Sequence, residues 1–145
     1  MKIPTQLTSN AHWLLRVALA SVFVFHGVGK FANLEGAAAM LQISFVEALL
    51  VALAETGGGL LVLLGGFRND AFFDLATRIG ALLNIPTILG AIAMVHWGRW
   101  AFTPSETHPM GGMEFQTVLL LVMIFVAIKG NAGLNGAEHP TITPA

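Results

Sequence analysis

Apolar residues collect in four blocks along the chain, separated by shorter polar or turn-rich stretches. A helix that crosses a bilayer needs about 20 mostly apolar residues. Blocks of that order lie at about 11–31, 43–66 and 72–97, and a shorter one at about 114–130. Each is predicted to be a helix, with Pro86 expected to kink the third. The links "FANLEGAAAMLQ" and "FRND" read as connections. The link "GRWAFTPSETHPMGG" is the longest, and its prolines and glycines argue against a continuous helix. Residues 1–133 thus read as one all-α domain, a four-helix transmembrane bundle, and residues 134–145 as an exposed tail.

Composition strengthens this picture. The 145 residues are 55% hydrophobic and 10% charged, with a mean hydropathy of +0.74, where soluble domains carry about 25% charged residues. The chain reads as a multi-pass integral membrane protein. Its net charge of -1 gives no basic field to attract nucleic acid. A cleaved signal peptide fits poorly, because Arg16 interrupts the apolar core and the A-x-A-like Ala18–Ala20 site precedes most of it. Trp13, Trp97 and Trp100 suit the two membrane–water interfaces. With four spans, Lys2, Arg68, Arg78 and Lys129 share the side of the termini, against Lys30 and Arg99 opposite, which favours cytoplasmic termini.

The chain has no cysteine and no tyrosine. Thiol catalysis, disulfides, cysteine-held iron–sulfur clusters and covalent c-type haem are excluded. Intrinsic chemistry falls to carboxylates, histidines and basic side chains. At about 1.5 Å of rise per residue, distance from a helix end estimates depth. That estimate places His26, His96, Glu47, Glu114 and Lys30 toward one face. Glu55, Asn84 and Arg16 fall deeper, with Glu55 and Arg16 close enough in depth to pair. The glycines at 57–59, 65 and 66 admit either close helix approach or a flat ligand.

Several segments together carry a resemblance: "LLRVALASVFVFHGVGKF", "ETGGGLLVLLGGFR", a third span ending in "MVH", and "GGMEFQTVLLL". In this order and spacing they resemble the DoxX family of small membrane proteins, over about Trp13 to Gly133. The resemblance implies a four-helix membrane bundle and redox work, since relatives include the small subunit of a thiosulfate:quinone oxidoreductase. It carries over Arg16, Gly27, Lys30, Glu55, Gly58, Arg68, His96, Gly112 and Glu114; His26 stands outside the family pattern. It implies a bacterial or archaeal inner membrane.

Each candidate residue has a functional and a structural reading. Arg16 with Glu55 is either a proton or quinone-headgroup site or a pair that holds two helices together. His96 with Glu114 is the candidate catalytic pair, an imidazole able to hydrogen-bond and protonate a quinone carbonyl beside a carboxylate. Against that, Glu114 suits a helix N-terminus on electrostatic grounds alone. Haem between His26 and His96 is disfavoured by a depth difference of about 6 Å. A metal on His96, His108 and Glu114 is a weaker candidate, and His12 and His139 read as solvated.

The expected function is a membrane subunit of an oxidoreductase, with His96, Glu114, Glu55, Arg16 and His26 around a quinone pocket. Its partners would be the bilayer and other protein subunits, with homo-oligomers left open. The alternatives are a non-catalytic anchoring or assembly subunit and a small proton-coupled transporter using Glu55.

Overall fold

A computed structural model describes residues 5–132; the C-terminal tail, Lys2 and His139 lie outside the described residues. The described chain is all-helical. A short α1 (Thr5–Asn10) precedes α2 (His12–Ala32), α3 (Leu34–Leu41), α4 (Phe45–Leu64), α5 (Ala71–Ala91) and α6 (Glu114–Lys129). A single π-helical turn, Ile92–His96, prolongs α5.

Local chemistry sets several of these boundaries. Asn33 ends α2 and caps α3, its side chain accepting the Gly36 N–H, so the first link is a helix rather than the expected connection. Gln42, at φ 55°, closes α3 in the left-handed region. Ser44 and Glu47 then form a reciprocal capping box that starts α4. Asp70 caps α5 through the Phe73 N–H. Pro86 is accommodated within α5, and the departure from α-helical bonding comes at the π turn.

Among the described residues, three helices are long and apolar enough to cross a bilayer: His12–Ala32, Phe45–Leu64 and Ala71–His96. The fourth expected span, the shorter α6, is not among them. The 16 residues of α6 reach about 24 Å, short of a hydrocarbon core about 30 Å thick. Even so, α6 is built into the same core. Leu19 and Phe23 of α2, Val62 of α4 and Ala81 and Ile88 of α5 pack with Leu119, Met123 and Val126 of α6.

Within each long span only 28–33% of the most apolar stretch is buried by the chain itself. The rest includes exposed Leu14, Phe25, Leu50, Leu53, Leu82 and Leu89. Such a surface needs lipid or partner helices to cover it.

The glycine run resolves toward packing. A Cβ on Gly58 would lie 2.7 Å from the Gly80 carbonyl oxygen and would collide with the Asn84 amide. A Cβ on Gly80 would in turn lie 2.6 Å from the Gly58 carbonyl oxygen. Helices α4 and α5 therefore touch backbone to backbone there.

Candidate functional site

Two polar centres lie at opposite ends of the bundle. The first is built on Arg16, which is fully buried. Its Nε donates to His12 Nδ1 at 3.1 Å. Nη1 donates to the Val62 carbonyl at 2.5 Å and to Thr77 Oγ1 at 3.0 Å, and Nη2 to Asn131 Oδ1 at 2.7 Å. Asn131 ties the chain just beyond α6 into this centre. Its Nδ2 donates to the Gly65 and Arg68 carbonyls, each at 2.9 Å. Its backbone N–H donates to Asp74 at 2.6 Å. Beside it, Arg78 is held by Asp74 and donates to the carbonyls of Ala127, Ile128 and Lys129, capping the end of α6.

This centre overturns two expectations. Arg16 does not pair with Glu55, and His12 is buried rather than solvated. The physical reason for the first lies in the tilt of Cα–Cβ bonds toward a helix's own N-terminus. Helices α2 and α4 run in opposite directions, so Arg16 leans toward one end of the bundle and Glu55 toward the other. Arg16 therefore stands outside the expected quinone pocket.

The second centre begins where Glu55 does find a partner. Lys30 Nζ lies 2.5 Å from Glu55 Oε2, with both side chains 11–15% exposed. Lys30 sits near the C-terminal end of α2 and leans inward for the same geometric reason. The pair forms a shared wall between two cavities. One, of about 130 Å³, is lined by His26, Lys30, Glu55, His96 and Gln116 among apolar neighbours that include Phe23, Ile88 and Met110. The other, of about 280 Å³, lies between α4 and α5, with Ile43, Val51, Pro86 and Met94 among its lining residues. Leu41 and Ala91, like the ion pair, line both.

His96 is buried and fixed at both ring nitrogens. Nδ1 lies 2.9 Å from the Gly111 carbonyl, and Nε2 lies 3.1 Å from Gln116 Nε2. A carbonyl can only accept, so Nδ1 carries the proton; in the neutral ring, Nε2 then accepts from the Gln116 amide N–H. Gln116 Oε1 is left buried, with no hydrogen-bond partner among the described residues.

The long link folds back over this end. Met113 N–H donates to the Arg99 carbonyl at 2.9 Å, and Met110 reaches the cavity wall. Trp97, Trp100 and Phe102 on the same link remain exposed, as interfacial side chains would.

The structure thus brings His26, Glu55 and His96 to one cavity. Glu114 does not line it; the side chain that meets His96 is Gln116, in the same first turn of α6. The candidate metal set of His96, His108 and Glu114 is not assembled: His108 Nε2 lies 2.8 Å from the Trp97 carbonyl, and no group of three such ligands converges among the described residues. Sequence reading missed Gln116, Thr77 and Asn131. A polar residue within an otherwise apolar block was the available signal for the first two. Asn84, expected to be deep, is fully buried, and its Nδ2 donates to the Gly80 carbonyl at 3.1 Å.

Comparison with known proteins adds two findings. The DoxX family pattern matches residues 11–97, which include Arg16, His26, Lys30, Glu55 and His96 but stop short of Gln116 and Asn131. A curated relative from Bacillus subtilis (strain 168), "Putative oxidoreductase CatD", is 34% identical over 121 residues, covering 81% of this chain and 78% of that protein. No solved structure matches the chain. With its helices, its apolar spans and both matches in agreement, this multi-pass membrane protein belongs to the DoxX family.

Proposed function

We propose that the chain is the membrane subunit of an oxidoreductase, and that the cavity lined by His26, Lys30, Glu55, His96 and Gln116 receives a quinone-type headgroup. The observation that carries this reading is the convergence of an ion pair, two imidazoles and an amide on one cavity with apolar walls. A quinone carbonyl needs a hydrogen-bond donor and, on reduction, a proton; an imidazole supplies both near neutral pH. The neighbouring cavity shares the ion pair and offers apolar room for a tail. The relative's description as an oxidoreductase supports the same class.

In this role the exposed imidazole of His26 faces the headgroup, His96 and Gln116 form the wall behind it, and the Lys30–Glu55 pair holds the charge balance of the cavity. Glu114 serves the N-terminus of α6, where the helix dipole favours an anion. Electrons come from a partner subunit or a cofactor bound to the complex. The chain sits in a bacterial or archaeal inner membrane with cytoplasmic termini, and its uncovered apolar faces meet lipid and those partners.

The test is to isolate the chain with its partners in mild detergent and quantify extracted quinone. Natural complex is expected to retain quinone, and His96→Ala and Glu55→Gln to lose most of it with all subunits present. Quinone retained at the natural level in both variants overturns the pocket. Dissociation of the subunits, with unchanged quinone on the partners, supports an anchoring role instead.

A further inference from the structure

We propose that the ligand seated in the headgroup cavity carries a long apolar chain, that this chain leaves sideways between α4 and α5 into the bilayer, and that Gly90 keeps the exit open. This rests on the reading of the cavity as a quinone-type pocket and adds the class of quinone it takes, one that stays in the membrane.

Size makes the first step. An apolar cavity of about 150 Å³ holds one benzene ring, and the headgroup cavity is about 130 Å³. It has room for a ring and little else, whereas sites for whole small ligands run to about 300–1,000 Å³. Any chain on the ring must therefore continue into a neighbouring space. Two spaces share walls with the cavity. The α4–α5 groove, of about 280 Å³, shares Lys30, Leu41, Glu55 and Ala91 with it. An open groove of about 400 Å³ between α2 and α3 shares His26, Lys30 and Met40.

The walls choose between them. The α2–α3 groove carries His26, Lys30 and Asn33, and its α3 side is a helix of 8 residues, too short to span. The α4–α5 groove lies between two helices long and apolar enough to span, and Ile43, Val51, Pro86 and Met94 line it. Pro86 and Met94 are exposed, so the groove opens on the face that meets lipid. Leu41 and Ala91 offer only aliphatic surface where the two cavities adjoin, so a chain passes beside the Lys30–Glu55 pair without displacing it.

Gly90 lines the same groove, and a Cβ built on it meets nothing within 4 Å. It differs in this from Gly58 and Gly80, whose missing side chains let α4 and α5 touch. Packing within the chain thus gives no reason for a bare position at 90, and glycine weakens a helix relative to alanine. The bare backbone leaves width for a chain. An apolar chain gains little by moving from lipid to an apolar groove, so the groove supplies passage rather than affinity. Blocking it should tell only against ligands that carry the chain.

Photolabelling of the purified full-length chain in lipid nanodiscs tests this. The probe is a decyl-tailed benzoquinone with a diazirine halfway along the tail, and the competitor is the same ring with a methyl group in place of the chain. Labelling that the competitor removes reports the site and not the lipid-facing surface. In the natural chain it should fall on groove residues such as Val51, Pro86 and Met94. Gly90→Leu should reduce it at least about tenfold, on the scale of overpacking a filled site, while calorimetry finds the competitor bound with natural affinity. Gly29→Leu, which adds the same side chain in open space on the α2–α3 side, should leave it unchanged. Competable labelling on α2 or α3 instead, its survival in Gly90→Leu, or its loss in Gly29→Leu overturns the route while the pocket stands. Weakened competitor binding in Gly90→Leu makes residue 90 a support of the cavity and overturns its role as an exit. Competitor binding without competable labelling in the natural chain overturns the chain and spares the pocket. Absence of both overturns the pocket itself, and the inference with it.

Discussion

The two polar centres of this bundle use similar side chains to opposite ends. Around Arg16 the hydrogen bonds close on one another. The guanidinium reaches four acceptors, and Asn131 accepts from Arg16 and Thr77 while donating to Gly65, Arg68 and Asp74. Around His96 they do not close. Lys30 and Glu55 satisfy each other, but Gln116 Oε1 is left over and His26 is exposed. A closed network in a low-dielectric interior fixes geometry; an open one keeps capacity for a ligand. On the proposed reading, the first centre serves stability and the second serves binding.

Arg16→Met should separate them most sharply. It strips donors from the Val62 carbonyl, Thr77, Asn131 and His12 at once, all inside the bundle. A loss of about 3–5 kcal/mol is expected, the usual cost of breaking a buried charged network, read as the thermal midpoint in detergent. An unchanged midpoint would mean that the knot does not hold the bundle. Asn131→Ala comes next, at about 2–3 kcal/mol, because it orphans the Gly65 and Arg68 carbonyls. Its signature should be local: amide hydrogen exchange should rise at the C-terminal end of α6 before it rises in α4. Uniform acceleration would break the assignment of Asn131 as the anchor of α6.

The Lys30–Glu55 pair is predicted to behave differently. Lys30→Met leaves a mostly buried carboxylate without its partner and should cost about 1–3 kcal/mol, less than a fully buried pair. The double change Lys30→Met with Glu55→Met should recover most of that loss, since an apolar replacement of a buried pair is often neutral. Quinone retention should stay low in both. A double variant that regains stability together with quinone would remove the ion pair from the binding site.

Much of this fold was legible in the apolar blocks, because a helix in lipid must be long and apolar and little else competes with that signal. The helical character of Leu34–Leu41 was less so; its start depends on the Asn33 cap and its end on a left-handed Gln42, details that block patterns do not carry. Depth along the normal grouped His26, Lys30 and His96, which do line one cavity, but set Glu55 apart from them. It failed for Arg16 and Glu55 because depth ignores which way a side chain leans along its helix. It also favoured Glu114 over Gln116, since a charge is the more conspicuous letter. The hydrogen bond that decides the matter depends on helix rotation, which α6, apolar nearly all round, does not announce in its sequence.

The smallest predicted effects come from adjacent glycines and test whether the run "GGG" serves packing throughout. Alanine at Gly58 must push against the Gly80 carbonyl and the Asn84 side chain. Forcing α4 and α5 apart should cost about 1–3 kcal/mol, as overpacking in a tight interior does. Alanine at Gly57 meets nothing within 4 Å. Its helical backbone tolerates a side chain, so the lower entropy of the unfolded chain should stabilise the protein by about 0.4–1 kcal/mol. Thermal midpoints of the two single variants, compared in one detergent, should therefore move in opposite directions. If both fall, Gly57 also faces a surface that must stay bare, and the natural candidate is a partner helix laid against α4. If both rise, the backbone contact of Gly58 with Gly80 is looser than its geometry indicates, and the polar knot alone must account for the closeness of α4 and α5.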